Sequence, residues 1–119
     1  MLPYKRSERV RKLLQHEICK ILREIKDPKI GFVTIIDVKL TDNLTESKVY
    51  YSVLGDEEVL SDTKDGLNRA VAFIRRRLGL ELNLRKVPAI QFIFDDSVEK
   101  AERVFSLLNK ISSESDKSK

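Results

Sequence analysis

Two alternating runs, Phe32–Leu40 and Ser47–Leu54, do most to limit what this chain can become. Side chains on an extended strand point to opposite faces in turn. In the first run Phe32, Thr34, Ile36, Val38 and Leu40 share one face, and Val33, Ile35, Asp37 and Lys39 share the other. The even-numbered set is expected to meet the core. In the second run the inward residues should be Val49, Tyr51 and Val53. Only Thr41–Glu46 separates the runs, with Asp42-Asn43 as turn residues. So short a link cannot hold a parallel crossover, so the two strands should form an antiparallel hairpin.

The remaining periodicity is helical. Across residues 7–26, Val10, Leu13, Leu14, Ile18, Ile21, Leu22 and Ile25 recur every three or four residues, which draws one apolar stripe on a helix. Ser7 is placed to cap its start, and Asp27-Pro28 to end it, since the residue before proline is driven out of the helical region. Gly55-Asp56-Glu57-Glu58 reads as an acidic turn. A second long helix should start near Ser61 or Asp62 and carry Leu67, Ala70, Val71, Ile74 and Leu78 inward, with Gly79 interrupting or ending it. Val87-Pro88 then favours extended chain, and Ile90, Phe92 and Phe94 mark a third strand. Asp96 and Glu99 have capping-box spacing for a last helix, whose buried stripe would be Val98, Ala101, Phe105 and Leu108. From Ser112 the chain is polar and is expected to be disordered. These signals predict one α+β domain over residues 1–111, a three-stranded sheet covered by helices on one face, followed by a tail over 112–119.

Residues that could do covalent chemistry are sparse. Cys19 is the one cysteine and His16 the one histidine. They are three apart on a predicted helix, but no third group completes a nucleophile, base and orienter. Asp95-Asp96 resembles a carboxylate pair, yet a strand end followed by a helix cap accounts for both. The four glycines are scattered and begin no nucleotide fingerprint. No metal or cofactor is expected, nor an enzyme. No apolar run approaches the roughly 18 residues that span a bilayer, and the first ten residues carry no secretory pattern. A reducing, cytoplasmic setting is expected.

Charge is the informative property. The net charge of +4 is modest, but it is distributed in blocks. Residues 1–29 hold nine Lys/Arg against four Asp/Glu, and residues 67–90 hold six against one. Between them, residues 37–66 hold three basic and eight acidic side chains. A basic helix face is commonly just solvated, but here the arginines lack local acidic partners and a second basic block repeats the bias. Arg69, Arg75, Arg76, Arg77, Arg85 and Lys86, joined by Lys5, Arg6, Arg9 and Lys12, are the candidates to hold a nucleic-acid backbone. Aromatic residues are few. Phe32, Phe92 and Phe94 are expected in the core, which leaves Tyr4 and Tyr50 as candidates to face a base. Recognition would then rest on phosphate and shape. The alternative is a protein-interaction module whose basic face binds an acidic partner.

Three stretches resemble bacterial ribosome-binding factor A. DPKIGFVTIIDVKLTDNLTESKVYYSVLG (Asp27–Gly55) is similar to that family's central hairpin. AFIRRRLGLELNLRKVPAIQFIFDDSVEKAERVFSLL (Ala72–Leu108) is similar to its C-terminal half, and SERVRKLLQHEICKIL to its first helix. The resemblance implies a type II KH-like fold, in the order helix, strand, strand, helix, kink, helix, strand, helix. The family lacks the G-x-x-G loop of ordinary KH domains and places an Ala-x-Gly kink there instead. The matching residues here are Ala70, Val71 and Ala72. Alanine in place of the glycine is the strongest helix former, which argues for a straighter helix. The resemblance also implies a monomeric, non-enzymatic assembly factor, important in the cold. It would bind the immature 30S subunit and its 16S rRNA, assist late rRNA processing and maturation, and work with an assembly GTPase.

Overall fold

The computed structural model describes residues 6–117, and their side chains other than those at 98, 99 and 112–117. The elements are α1 (Arg6–Glu24), β1 (Phe32–Leu40), β2 (Glu46–Leu54), α2 (Glu57–Glu81), β3 (Ala89–Phe94) and α3 (Ser97–Lys117). The strands form one sheet in the order β1-β2-β3. β1 and β2 make the expected antiparallel hairpin, while β3 lies parallel to β2. A parallel neighbour requires a crossover, and α2 supplies it.

α1 and α2 cover one face of the sheet. The core joins Leu14, Ile18 and Ile21 of α1, Val38 and Val49 of the sheet, and Ile74 and Leu78 of α2. Tyr51 is 1% exposed on the central strand, with Phe92 and Phe94 edge-on to its ring at 6.2 and 5.9 Å. Each fully buried aliphatic side chain here contributes about 1.5–3 kcal/mol.

Four local expectations are corrected. Ser7 is not the N-cap of α1. It lies within the helix, is buried, and its hydroxyl donates to Asp42 Oδ1 at 3.3 Å, tying α1 to the β1–β2 turn. The even-numbered face of β1 is not inward along its whole length. Ile35 pairs with Tyr51 and Asp37 with Tyr50, so Ile36 is an extra residue in a β-bulge. A one-residue insertion exchanges the two faces of a strand. Val33 and Ile35 therefore face inward before the bulge, and Val38 and Leu40 after it. Phe32, expected in the core, is 86% exposed.

The acidic turn is the beginning of α2, not a connection before it. The Asp56 carboxylate accepts from the Val59 N–H at 2.9 Å as the N-cap. Glu57 and Glu58 fill the first turn, where negative charge meets the positive end of the helix dipole. Gly55 is required just before, because its φ is +147° and a Cβ would lie 2.7 Å from Val59. At the other end Gly79 does not stop the helix. Asn83 does: it adopts φ +50°, and the Leu84 N–H returns to the Gly79 carbonyl at 3.3 Å. This is the left-handed stop that releases a chain from a helix C-terminus. Through Ala70, Val71 and Ala72, where the family resemblance placed a kink between two helices, the structure has one unbroken helix, as alanine in place of the family's glycine favours.

The fourth correction concerns α3. Ala101, Phe105 and Leu108 are exposed, as are all residues from 100 to 111; the side chain of Val98 lies outside those described. The helix projects from the body, and it runs to Lys117 past the point where disorder was expected. The radius of gyration is accordingly 18.6 Å, against about 13–14 Å for a compact chain of this length. Asp96 stands just before the helix, where its carbonyl accepts from the Lys100 N–H at 3.0 Å and its carboxylate pairs with the Lys100 side chain at 3.3 Å; the Ser97 N–H donates to Asp95 Oδ1 at 2.8 Å, and the Glu99 side chain of the expected capping box lies outside those described.

Candidate nucleic-acid interface

α2 carries its cations on two flanks, because residues three and four apart share a side while neighbours do not. Arg75 points one way, toward the loop that follows the helix. Its Nε donates to the Pro88 carbonyl at 3.1 Å and its Nη2 to the Val87 carbonyl at 2.9 Å. It pins the chain that leads into β3, where the pre-proline segment has no sheet partner of its own.

Arg69, Phe73, Arg76 and Leu80 form a row on the other flank, at successive spacings of four, three and four. Arg69 Nη2 is 3.5 Å from Asp27 Oδ2, an exposed pair worth little in stability. Arg76 makes no ion pair among the described residues. Arg77 sits beside the row and is engaged, 2.9 Å from Glu24 and 3.6 Å from Glu81. It links α2 to the end of α1. Phe73 is 38% exposed, and the guanidinium carbons of Arg76 and Arg77 each lie 5.8 Å from its ring centroid. Beside the ring runs a groove of about 360 Å³ between the end of α1 and α2, floored by Gly66 and Ala70. A Cβ at Gly66 would meet Ile30 at 2.6 Å, so glycine there lets Ile30 pack closely against α2.

The other candidates lie at the far end of the sheet. Arg85 and Lys86 are exposed in the loop between α2 and β3, with no ion pair among the described residues. The Ala89 N–H after them donates to Thr45 in the β1–β2 turn, and Ser7 reaches the same turn at Asp42. The start of α1, with exposed Arg6 and Arg9, thus comes to the same end as Arg85 and Lys86. Lys12 is exposed one turn on; Lys5 and Tyr4 lie outside the described residues. Tyr50 is half-buried on the uncovered face of the sheet, with Lys39 Nζ 5.3 Å from its ring and Asp37 opposite. The sequence-predicted cations therefore make two groups, one along the second half of α2 and one beyond its C-terminus beside the start of α1; of the six in the second block Arg75 and Arg77 serve internal contacts and Arg69 pairs with Asp27. Phe73 was missed. Its signal was its place in the arginine row, off the stripe drawn by Leu67, Ile74 and Leu78.

The residues considered for covalent chemistry have other settings. Burial pushes the Cys19 thiol up from its ordinary range, a stronger effect than the lowering by Arg23, so at neutral pH it is protonated and a poor nucleophile. His16, one turn away, is exposed. Hydrogen bonds from Ser97, its hydroxyl first and its backbone N–H second, hold the Asp95 carboxyl below its ordinary range. Among the described residues no cluster of His, Cys, Asp and Glu could hold a metal ion, and no helix is long and apolar enough to cross a membrane.

Comparison with known proteins gives a consistent result. The family profile described as "Ribosome-binding factor A" matches residues 6–108. The protein of that description from Thioalkalivibrio sulfidiphilus is 42% identical over 108 residues, covering 90% of this chain and 84% of its own. That from Geobacter metallireducens is 42% identical over 113 residues, covering 93% and 95%. Among solved structures, a Thermotoga maritima protein described in the same terms superposes with a TM-score of 0.68 at 32% identity, over 78% of this chain and 90% of its own. A Thermus thermophilus ribosome-binding factor A, fitted into a cryo-EM map of a 30S complex, superposes with a TM-score of 0.63 at 19% identity, over 74% and 93%. The fold is KH-like, three helices about a three-stranded sheet, as the sequence resemblance implied.

Proposed function

The chain belongs to the ribosome-binding factor A family, and from that premise we propose that it is a non-enzymatic assembly factor that binds the immature 30S subunit through its 16S rRNA. The observation that carries this reading is the pair of exposed basic groups, Arg69 and Arg76 on α2 and Arg85 and Lys86 beyond it, the latter joined by Arg6, Arg9 and Lys12 at the start of α1; Lys5 is proposed with them from the sequence. Guanidinium groups grip phosphate with a two-pronged fork. These cations run along the second half of α2 and on past its C-terminus, with Arg69 and Arg76 about 10 Å apart at about 1.5 Å per residue, a line that suits an extended polyanion better than a compact acidic ligand. Arg75 and Arg77 act indirectly, by fixing the loop after α2 and the α1–α2 seam.

Binding that favours one rRNA conformation over another shifts a population and needs no covalent step. In this reading the protein acts in the cytoplasm as a monomer, assists late rRNA processing, matters most in the cold, where misfolded RNA escapes slowly, and leaves with help from an assembly GTPase. The test is co-sedimentation with small subunits across about 50–200 mM salt. Replacing Arg69, Arg76, Arg85 and Lys86 by glutamine should weaken binding. It should also flatten the salt slope by about 0.7–0.9 per lost phosphate contact. An unchanged slope would remove these residues from the interface. Failure of the unmodified protein to bind small subunits, with retained binding to an acidic protein, would favour the interaction-module reading.

A further inference from the structure

Phe73 is not part of the fully buried core. The fully buried apolar residues of α2 are Leu67, Ile74 and Leu78, each 0% exposed, and Phe73 lies on the flank beside them. More than a third of it remains in water, in the middle of a row of arginines. Each guanidinium carbon is 5.8 Å from the ring centroid, near the outer limit of about 6 Å for a cation–π contact. Both guanidinium groups lie over the ring, but at that distance neither is stacked on it.

Resting on the rRNA-binding reading, we propose that Phe73 is a stacking platform for one unpaired nucleotide of RNA. The base would lie on the exposed ring, and Arg76 and Arg69 would hold the phosphates on either side along the helix. The groove floored by Gly66 and Ala70 gives the base room to leave its own stack; at about 360 Å³ it is within the range of about 300–1,000 Å³ for small-ligand clefts. Asp27 and Glu24 at its rim already pair with Arg69 and Arg77, so the acidic groups there are neutralised. The other exposed rings lack this setting. Phe32 and Phe105 have no cation over them among the described contacts; Tyr50 has Lys39 over its ring, but it faces Asp37 within the acidic block and has no row of arginines beside it. Every base has a π-face, so such a platform selects single-stranded RNA over duplex without selecting sequence.

The experiment compares two probes on the full chain by fluorescence anisotropy: a labelled oligoadenylate, and an abasic ribose-phosphate oligomer of equal length. The unmodified protein should prefer the base-bearing probe by about 5- to 150-fold, the range for one stacked base. Phe73→Leu keeps an apolar side chain at the seam and should abolish that preference while leaving abasic binding unchanged. Phe73→Trp should keep or increase it. Equal loss on both probes with Phe73→Leu, or loss with Phe73→Trp, means the ring serves only packing and overturns the proposal. So does an unmodified protein with no preference. If that protein still sediments with small subunits, stacking fails while the family reading stands; if it does not sediment, the reading beneath fails as well.

Discussion

Ala72 gives a sharp test of the unbroken crossover helix. Its methyl group is exposed, so Ala72→Gly removes no packing and acts only through backbone freedom. An exposed, interior helical glycine costs about 0.8–1.0 kcal/mol relative to alanine. In a domain of this size that lowers Tm by about 3–6 °C. Ala70 provides an internal comparison. It is half-buried against the core, so Ala70→Gly should lose the same amount plus about 0.8 kcal/mol for the buried methyl. Thermal unfolding followed by helical circular dichroism would measure both, and the order of the two losses matters as much as their size. If Ala72→Gly is neutral or stabilising, the backbone there is not a relaxed helix and the straight α2 is wrong.

Three further expectations follow from named contacts. Arg75→Ala should destabilise by about 1 kcal/mol, discounted for exposure, and speed amide exchange in residues 84–89, whereas Arg76→Ala should leave stability within about 0.5 kcal/mol and weaken subunit binding. The Asp95 carboxyl is held below its ordinary value of 3.8 by its bonds from Ser97, so the stability they add is complete above that pH and is lost as pH falls through the lower folded value; a carboxyl NMR titration with an inflection at or above 3.8 would refute those bonds. Alkylation of Cys19 at pH 8 should be slower in the native protein than in the denatured one, since burial raises its pKa from 9.0; equal rates would contradict that.

The hairpin, both long helices and the third strand were legible because each is a repeating pattern long enough to read. What escaped has physical causes. The bulge at Ile36 has no marker: Val33, Ile35, Ile36 and Val38 are all apolar and β-branched, so either face could be buried until the partner strand fixes the register. The start of α2 was set too late because Asp56-Glu57-Glu58 suits a turn and a first helical turn equally. Gly79 was overweighted because a helix tolerates one glycine at about 1 kcal/mol, while Asn83 provided the actual stop. The stripe on α3 is a true amphipathic pattern, but a pattern does not supply the surface that would bury it. Phe73 was legible only once the arginines were placed in a row and the ring was seen between them.

The parallel pairing of β2 with β3 has a consequence during synthesis. The β1–β2 hairpin is complete at Leu54, but the other side of β2 stays unpaired until Phe94 has emerged. At about 5–20 residues per second those roughly 40 residues take about 2–8 s. For that interval the nascent chain carries an open strand edge bearing Val49 and Tyr51, which a neighbouring nascent chain could zip onto. Glu46 and Lys48, charged and on the outward side of the same strand, stand where they would discourage it until α2 folds and delivers β3.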